Sequence, residues 1–180
     1  MPSDVALTDV TAGSLSHEFD QIFREYYQFV YRTAYGITGS SEDAEDVLQT
    51  IFLRLLRREF PPDLKRNPKA YLYRAAVNVS LNVVRLRQRH VLTGDAESFE
   101  TPTDSGEADS LERLHKLLYE AIAELDADAA QMIVLRYVHN YSDAEIAKLL
   151  GKTRGVIAVR LFRARARLKK LIRVLEEKES

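Results

Sequence analysis

The sequence predicts an all-α protein built as two small helical domains joined by a flexible acidic linker. Three observations carry that prediction. Apolar residues recur at helical spacing along almost all of the 180 residues, and no stretch alternates strictly as a half-buried strand would. Residues 93–110 hold six acidic side chains and no basic one, are rich in Thr, Ser and Gly, and contain Pro102. Such a composition buries too little surface to offset chain entropy and reads as a tether. Finally, Lys148 to Arg173 contains ten Lys or Arg and no Asp or Glu, so the net charge of −1 conceals a basic block. The expected boundaries are 1–92, 93–110 and 111–180.

In chain order, a first helix is expected from about Leu15 to Tyr35, with Phe19, Ile22, Phe23, Tyr26, Val30 and Ala34 inward; Gly36 and Gly39 break it. Ser40 or Ser41 caps a second helix whose first turn carries Glu42, Asp43, Glu45 and Asp46, where the helix dipole favours negative charge. Its apolar stripe is Ala44, Val47, Leu48, Ile51, Phe52 and Leu55. Pro61-Pro62 stops it and opens a loop to Asn67. Asn67 then caps a third helix with Pro68 at its first position, running to about His90 and burying Leu72, Ala75, Ala76, Val79, Val83 and Leu86. Beyond the tether, helices are expected at about 110–124, 127–138, 142–150 and 153–176.

Composition excludes several classes of function. Apolar residues make up 46% and charged residues 29%, ordinary for a folded protein. No apolar run approaches a membrane span, and residues 1–13 lack a basic flank followed by an apolar block, so neither membrane insertion nor secretion is expected. With no cysteine there is no disulfide framework and no thiolate site. A cytoplasmic setting is the default. His17, His90, His115 and His139 sit in no metal-ligand spacing, and neither a Gly-rich phosphate loop nor a nucleophile elbow occurs. No metal, cofactor or catalytic residue is therefore expected.

The basic block has the punctuation of a helix-turn-helix. Ser142 and Glu145 form a capping box, Gly151 supplies a left-handed terminus, and Thr153 caps the next helix. That helix buries Ile157, Leu161, Ala164, Leu168 and Leu171. Such a pair places its second helix in a DNA major groove. Arg160, Arg163, Arg167 and Lys170 share an outward face, with Arg154, Arg165 and Lys169 beside it. Guanidinium forks suit phosphate and the acceptor edge of guanine. The bland alternative is a solvated basic face on a helical hairpin.

From Ala123 and Leu125, through Ile133 to Tyr137, Tyr141-Ser142, Glu145-Ile146-Ala147, Leu150-Gly151 and Arg160 to Arg165, the chain resembles region 4 of sigma factors of the extracytoplasmic-function (ECF) group. The resemblance implies binding to the −35 promoter duplex, through Thr153, Arg154, Arg160, Arg163 and Arg167, and to the flap of the RNA polymerase β subunit. Val156, Ala158 and Val159 stand where that family usually has Thr, Lys and Ser.

Ala44 to Leu55 likewise resembles sigma region 2.2. This implies that Asp46, Gln49, Thr50 and Leu53 dock on the β′ clamp of the polymerase core, although Thr50 replaces a usual acidic residue. Pro68 to Arg89 resembles regions 2.3 and 2.4. Tyr71, Arg74, Asn78 and Arg85, with Lys65 and Arg66 in the preceding loop, would capture the −10 element as it melts. An aromatic and amide set interleaved with cations suits unstacked bases and phosphate. Tyr71 replaces a usual tryptophan, and Val77 a common basic residue. The implied acidic tether threads toward the polymerase active centre, and an anti-sigma factor is an expected partner. On the residues alone, three readings stay open: a promoter-specificity subunit, a stand-alone dimeric helix-turn-helix regulator, and a helical adaptor.

Overall fold

The computed structural model describes residues 6–57, 60–93 and 106–179, and every regular element among them is a helix. The helices are α1 Ala6–Thr38, α2 Ser41–Leu56, α3 Pro62–Arg66, α4 Pro68–Thr93, α5 Gly106–Ala123, α6 Ala127–Tyr137, α7 Asp143–Leu150 and α8 Arg154–Glu179. Most of the expected tether, 94–105, lies outside the described residues. Its two ends are helical: α4 continues to Thr93 and α5 begins at Gly106. The expected loop 61–67 contains the single-turn helix α3, opened by Pro61 and Pro62. Proline suits a first turn because the missing N–H would have no intrahelical acceptor there.

Capping chemistry sets the element starts. Ser40 Oγ accepts from Asp43 N at 3.2 Å, Asn67 Oδ1 from Ala70 N at 3.1 Å, and Asp126 Oδ1 from Ala129 N at 2.9 Å. Each satisfies one of the amides orphaned at a helix start.

Two apolar clusters hold the chain together. The first belongs to α1–α4 and centres on Val30, Val47, Ile51, Phe52, Leu64 and Leu72. Phe23 packs edge-on against Phe52 at 4.9 Å yet stays 37% exposed, so it caps this core from outside instead of filling it. The second cluster is the unexpected one. Ile37 of α1 and Tyr73, Val77, Leu81 and Val84 of α4 are buried together with Leu125, Ile133, Ile146, Ile157 and Leu161 of α5–α8. The two halves thus share a core.

Helix α4 makes this possible by having two buried faces. Leu72, Ala76 and the partly buried Val79 and Val83 point toward α1–α2. Tyr73, Val77, Leu81 and Val84, spaced four, four and three apart, point toward α5–α8. Leu86, expected in the core, is 51% exposed. Its neighbours Arg85 and Arg87 still reach the two bundles, so Leu86 stands at the solvent edge of the α1–α2 stripe, not past the covered turns.

Polar contacts bind the same seam. The Tyr73 hydroxyl donates to the Gln131 carbonyl, and Arg32 donates to the Val138 carbonyl at 3.2 Å. Thr33 Oγ1 donates to the Phe29 carbonyl at 2.8 Å and lies 2.8 Å from His139 Nε2. With its one proton used, Thr33 accepts here, so His139 carries its proton on Nε2. Burial and the nearby Arg32 and Lys69 push the His139 pKa down to about 4, leaving the ring neutral at neutral pH. Close approach across the seam needs two glycines. A Cβ on Gly36 would stand 2.7 Å from a Val138 methyl, and one on Gly39 (φ +67°) would enter the Tyr119 ring.

Candidate nucleic-acid interface

The helix-turn-helix is built as its punctuation implies. Ser142 Oγ accepts from Glu145 N at 3.3 Å, while Glu145 Oε2 accepts from Ser142 N at 2.8 Å and from Ser142 Oγ at 2.6 Å. The two hydrogen bonds from Ser142 hold the Glu145 carboxyl below its usual range. Gly151 closes α7 at φ 65°, and its amide reaches the Ala147 carbonyl. Thr153 Oγ1 accepts from Val156 N at 3.4 Å and starts α8. Ile157, Leu161 and Ala164 seat α8 in the shared core.

The five residues expected to read duplex DNA do not share one environment. Thr153, Arg154, Arg163 and Arg167 are exposed, and Arg160 is half-buried. Arg160 pairs with Asp128 on the first turn of α6, and Arg167 with its N-cap Asp126 at 3.2 Å. These pairs clamp α8 to α6, a role the basic spacing could not reveal because the partners lie 32 and 41 residues away. Arg154 and Arg163 have no ion pair or hydrogen bond among the described residues. Between them the helix presents apolar side chains: Val156 is 40% exposed, Val159 51% and Phe162 70%.

In the first half, the start of α4 borders a cavity of about 310 Å³ lined by Asp63, Tyr71, Arg74, Ala75 and Asn78. Arg74 and Asn78 are exposed and Tyr71 half-buried. Arg74 Nε donates to the Ala70 carbonyl at 3.2 Å, which holds the guanidinium along the helix. Lys65 and Arg66 are exposed on α3, with Arg66 4.0 Å from Asp63. The structure therefore gathers Tyr71, Arg74 and Asn78 around one cavity, with the two α3 cations on the adjoining helix.

Arg85 is not brought to that cavity. It lies two turns further on and donates to the Ala123 carbonyl at 3.0 Å and the Leu125 carbonyl at 2.8 Å. Its guanidinium satisfies carbonyls orphaned at the end of α5. Helical spacing alone leaves Arg85 on the Tyr71 face; the second bundle covers that part of it.

On α2, Asp46, Gln49 and Leu53 are exposed and Thr50 half-buried. Leu53 (48%) and Leu56 (57%) form an apolar edge beside the polar residues, and Leu56 was not among the expected contacts. Its signal was available, since it extends the Gln49–Leu53 row by three. Asp43, near the helix start, is tied to Arg87 of α4 at 2.7 Å. Among the described residues no cluster of His, Cys, Asp or Glu could hold a metal ion, and no helix is long and apolar enough to cross a membrane.

Known proteins share this arrangement. Residues 22–90 match the family model for Sigma-70 region 2, and residues 115–168 that for Sigma-70, region 4. The ECF RNA polymerase sigma factor SigL of Mycobacterium tuberculosis is 30% identical over 145 residues, covering 79% of this chain and 82% of that protein. The RNA polymerase sigma-E factor of Streptomyces antibioticus is 32% identical over 158 residues, covering 84% and 83%. Among solved structures, the sigma factor RpoE of Bartonella quintana, in complex with the anti-sigma factor NepR, superposes with a TM-score of 0.51. That match has 25% identity over 87% of this chain and 98% of the other. The fold is likewise that of CnrH, solved with the cytosolic domain of CnrY, with a TM-score of 0.50 and 23% identity over 92% of this chain and 96% of that one. With both sigma regions in one helical chain, flanking the expected tether, this protein belongs to the ECF group of RNA polymerase sigma factors.

Proposed function

We propose a division of labour between the two halves of this sigma factor, which directs RNA polymerase to promoters and starts transcription there. In the first half, Tyr71, Arg74 and Asn78 hold unpaired bases of the −10 element, and Lys65 and Arg66 meet the adjoining phosphates. In the second, α8 enters the major groove of the −35 duplex with Arg154 and Arg163 free to reach base edges or phosphate. Asp46, Gln49, Thr50 and Leu53, joined by Leu56, contact the β′ clamp, and the region 4 half meets the β flap. The observation that carries this reading is the pairing, in one chain, of a basic helix-turn-helix with an aromatic and amide-lined cavity at the start of α4. The protein works in the cytoplasm by differential binding, without catalytic chemistry of its own.

The shared core adds a step. Elements centred near −10 and −35 are separated by about 25 base pairs, or about 85 Å of duplex. A compact chain of 180 residues has a radius of gyration of about 16 Å, so the closed form cannot occupy both elements. The seam between α4 and α5–α8 is the resting arrangement, and engagement of polymerase and promoter parts it. An anti-sigma partner, of the kind that RpoE binds in its solved complex, would act on this same equilibrium.

The test is transcription by core polymerase with the full chain on a promoter library. Initiation from a defined subset, lost in Arg74→Ala with Asn78→Asp, supports the reading. Tight, specific duplex binding by the chain without polymerase would overturn it in favour of a stand-alone regulator.

A further inference from the structure

Over residues 155–166 the outward row of α8 contains no hydrogen-bonding side chain. At 3.6 residues per turn, Gly155, Val159, Phe162 and Ala166 lie opposite the buried stripe that seats the helix. Val156 and Ala158 flank the row and are also exposed. The row is about 16 Å long, which matches about five base steps. An exposed apolar row of this size on a basic helix calls for an occupant. Charge identifies its class: no Asp or Glu occurs anywhere in residues 146–175, while Arg154, Arg163, Lys169 and Lys170 rise on either side of the row. Cations bracketing an apolar ridge fit a groove walled by phosphate, and a B-form major groove admits one helix.

We propose that Val156, Val159 and Phe162 select thymine in the −35 duplex by packing on its C5 methyl group, so that T·A pairs under this row determine promoter choice. The inference rests on the assignment of α8 to the −35 duplex. Thymine carries the one methyl group on the major-groove edge of the four bases. An amine or carbonyl pressed against valine or phenylalanine loses its water without gaining a partner, so other bases are rejected there. Arg160 and Arg167 are held by Asp128 and Asp126, which leaves Arg154 and Arg163 to read guanines at the edges of the element. Gly155 has open space around its Cβ position, so no protein side chain covers the backbone at the start of the row.

The experiment uses bacterial core polymerase with the full chain, selecting from duplexes randomised upstream of a fixed −10 element. The expected element has thymines in its centre. Replacing each central thymine by deoxyuridine, which removes the methyl alone, weakens binding about threefold to fivefold. Val159→Ser, at an exposed position that does not affect folding, abolishes the thymine–uracil difference. An enriched element lacking central thymines, or equal binding of thymine and uracil, overturns the proposal while leaving −35 reading intact. Loss of polymerase association in Val159→Ser or Phe162→Ala, with DNA choice unchanged, also overturns it by making the row a protein contact. If no upstream element is enriched and Arg163→Ala has no effect, the −35 assignment itself fails and takes the proposal with it.

Discussion

Gly36→Ala tests the closed seam through two effects of opposite sign. On α1 the added methyl removes a helix-interior glycine, which stabilises that helix by about 0.5–1 kcal/mol whether the halves are closed or apart. Across the seam, the same methyl would sit 2.7 Å and 3.1 Å from the two methyls of Val138, and overpacking of this kind costs about 1–3 kcal/mol. The helix term cancels between closed and open forms, so the opening equilibrium shifts by the packing term alone. That is about fivefold to more than a hundredfold. The chain has no cysteine, so single cysteines placed at the exposed Gln49 and Lys148 can carry a donor and acceptor dye. Energy transfer should fall in Gly36→Ala and return when Val138→Ala makes room, as a double-mutant cycle requires of a direct contact. Unchanged transfer in Gly36→Ala, or loss that Val138→Ala fails to restore, would refute the seam as the closing contact.

Three further outcomes follow from the same geometry. Arg85→Ala should open the seam at a cost of about 1.5–3 kcal/mol, because it strips a charged donor from two carbonyls at the end of α5. Fluorescence anisotropy should show single-stranded −10 DNA binding little changed in Arg85→Ala and weakened in Arg74→Ala; equal losses would return Arg85 to the DNA face. Acid should loosen the seam through His139, whose pKa of about 4 in the closed form lies below the usual 6.5. The seam is intact above pH 6.5 and weakens as pH falls toward 4, by about 1–2 kcal/mol after allowing for the ring's partial exposure, and His139→Gln should flatten that profile. Finally, Arg163→Ala should weaken promoter binding and lower the salt slope by about one, measured by titration across salt concentrations. Arg160→Ala should do less to DNA binding, since Asp128 already engages that guanidinium.

What was legible in the sequence was local. Ser142, Glu145, Gly151 and Thr153 announce their own turn, because capping and left-handed backbone are decided within a few residues. Tyr71, Arg74 and Asn78 fall on one helical face at the start of α4, and the structure places all three around one cavity. What was not legible depends on partners far along the chain. Tyr73, Val77, Leu81 and Val84 form a second apolar stripe on α4 whose spacing is visible but whose purpose is not, because the surface it meets lies some 40 or more residues later. The same distance separates Arg85 from Leu125 and Arg167 from Asp126, so two cations assigned to DNA by face are tied to protein. Leu86 shows the reverse error. It fits the helical period of the core but stands at the solvent edge of its stripe, where period says nothing about whether a neighbour is present.

The central claim is that one chain supplies both polymerase docking and promoter choice. The most direct measurement is the start-site profile of purified core RNA polymerase on a genomic or randomised promoter library, with and without the full chain. Specific starts should appear only with the chain and share paired elements near −35 and −10. They should vanish when Asp46 and Gln49 are both changed to Ala on the exposed edge of α2. A profile identical to that of core polymerase alone, or specific starts that survive the α2 change undiminished, would contradict the account.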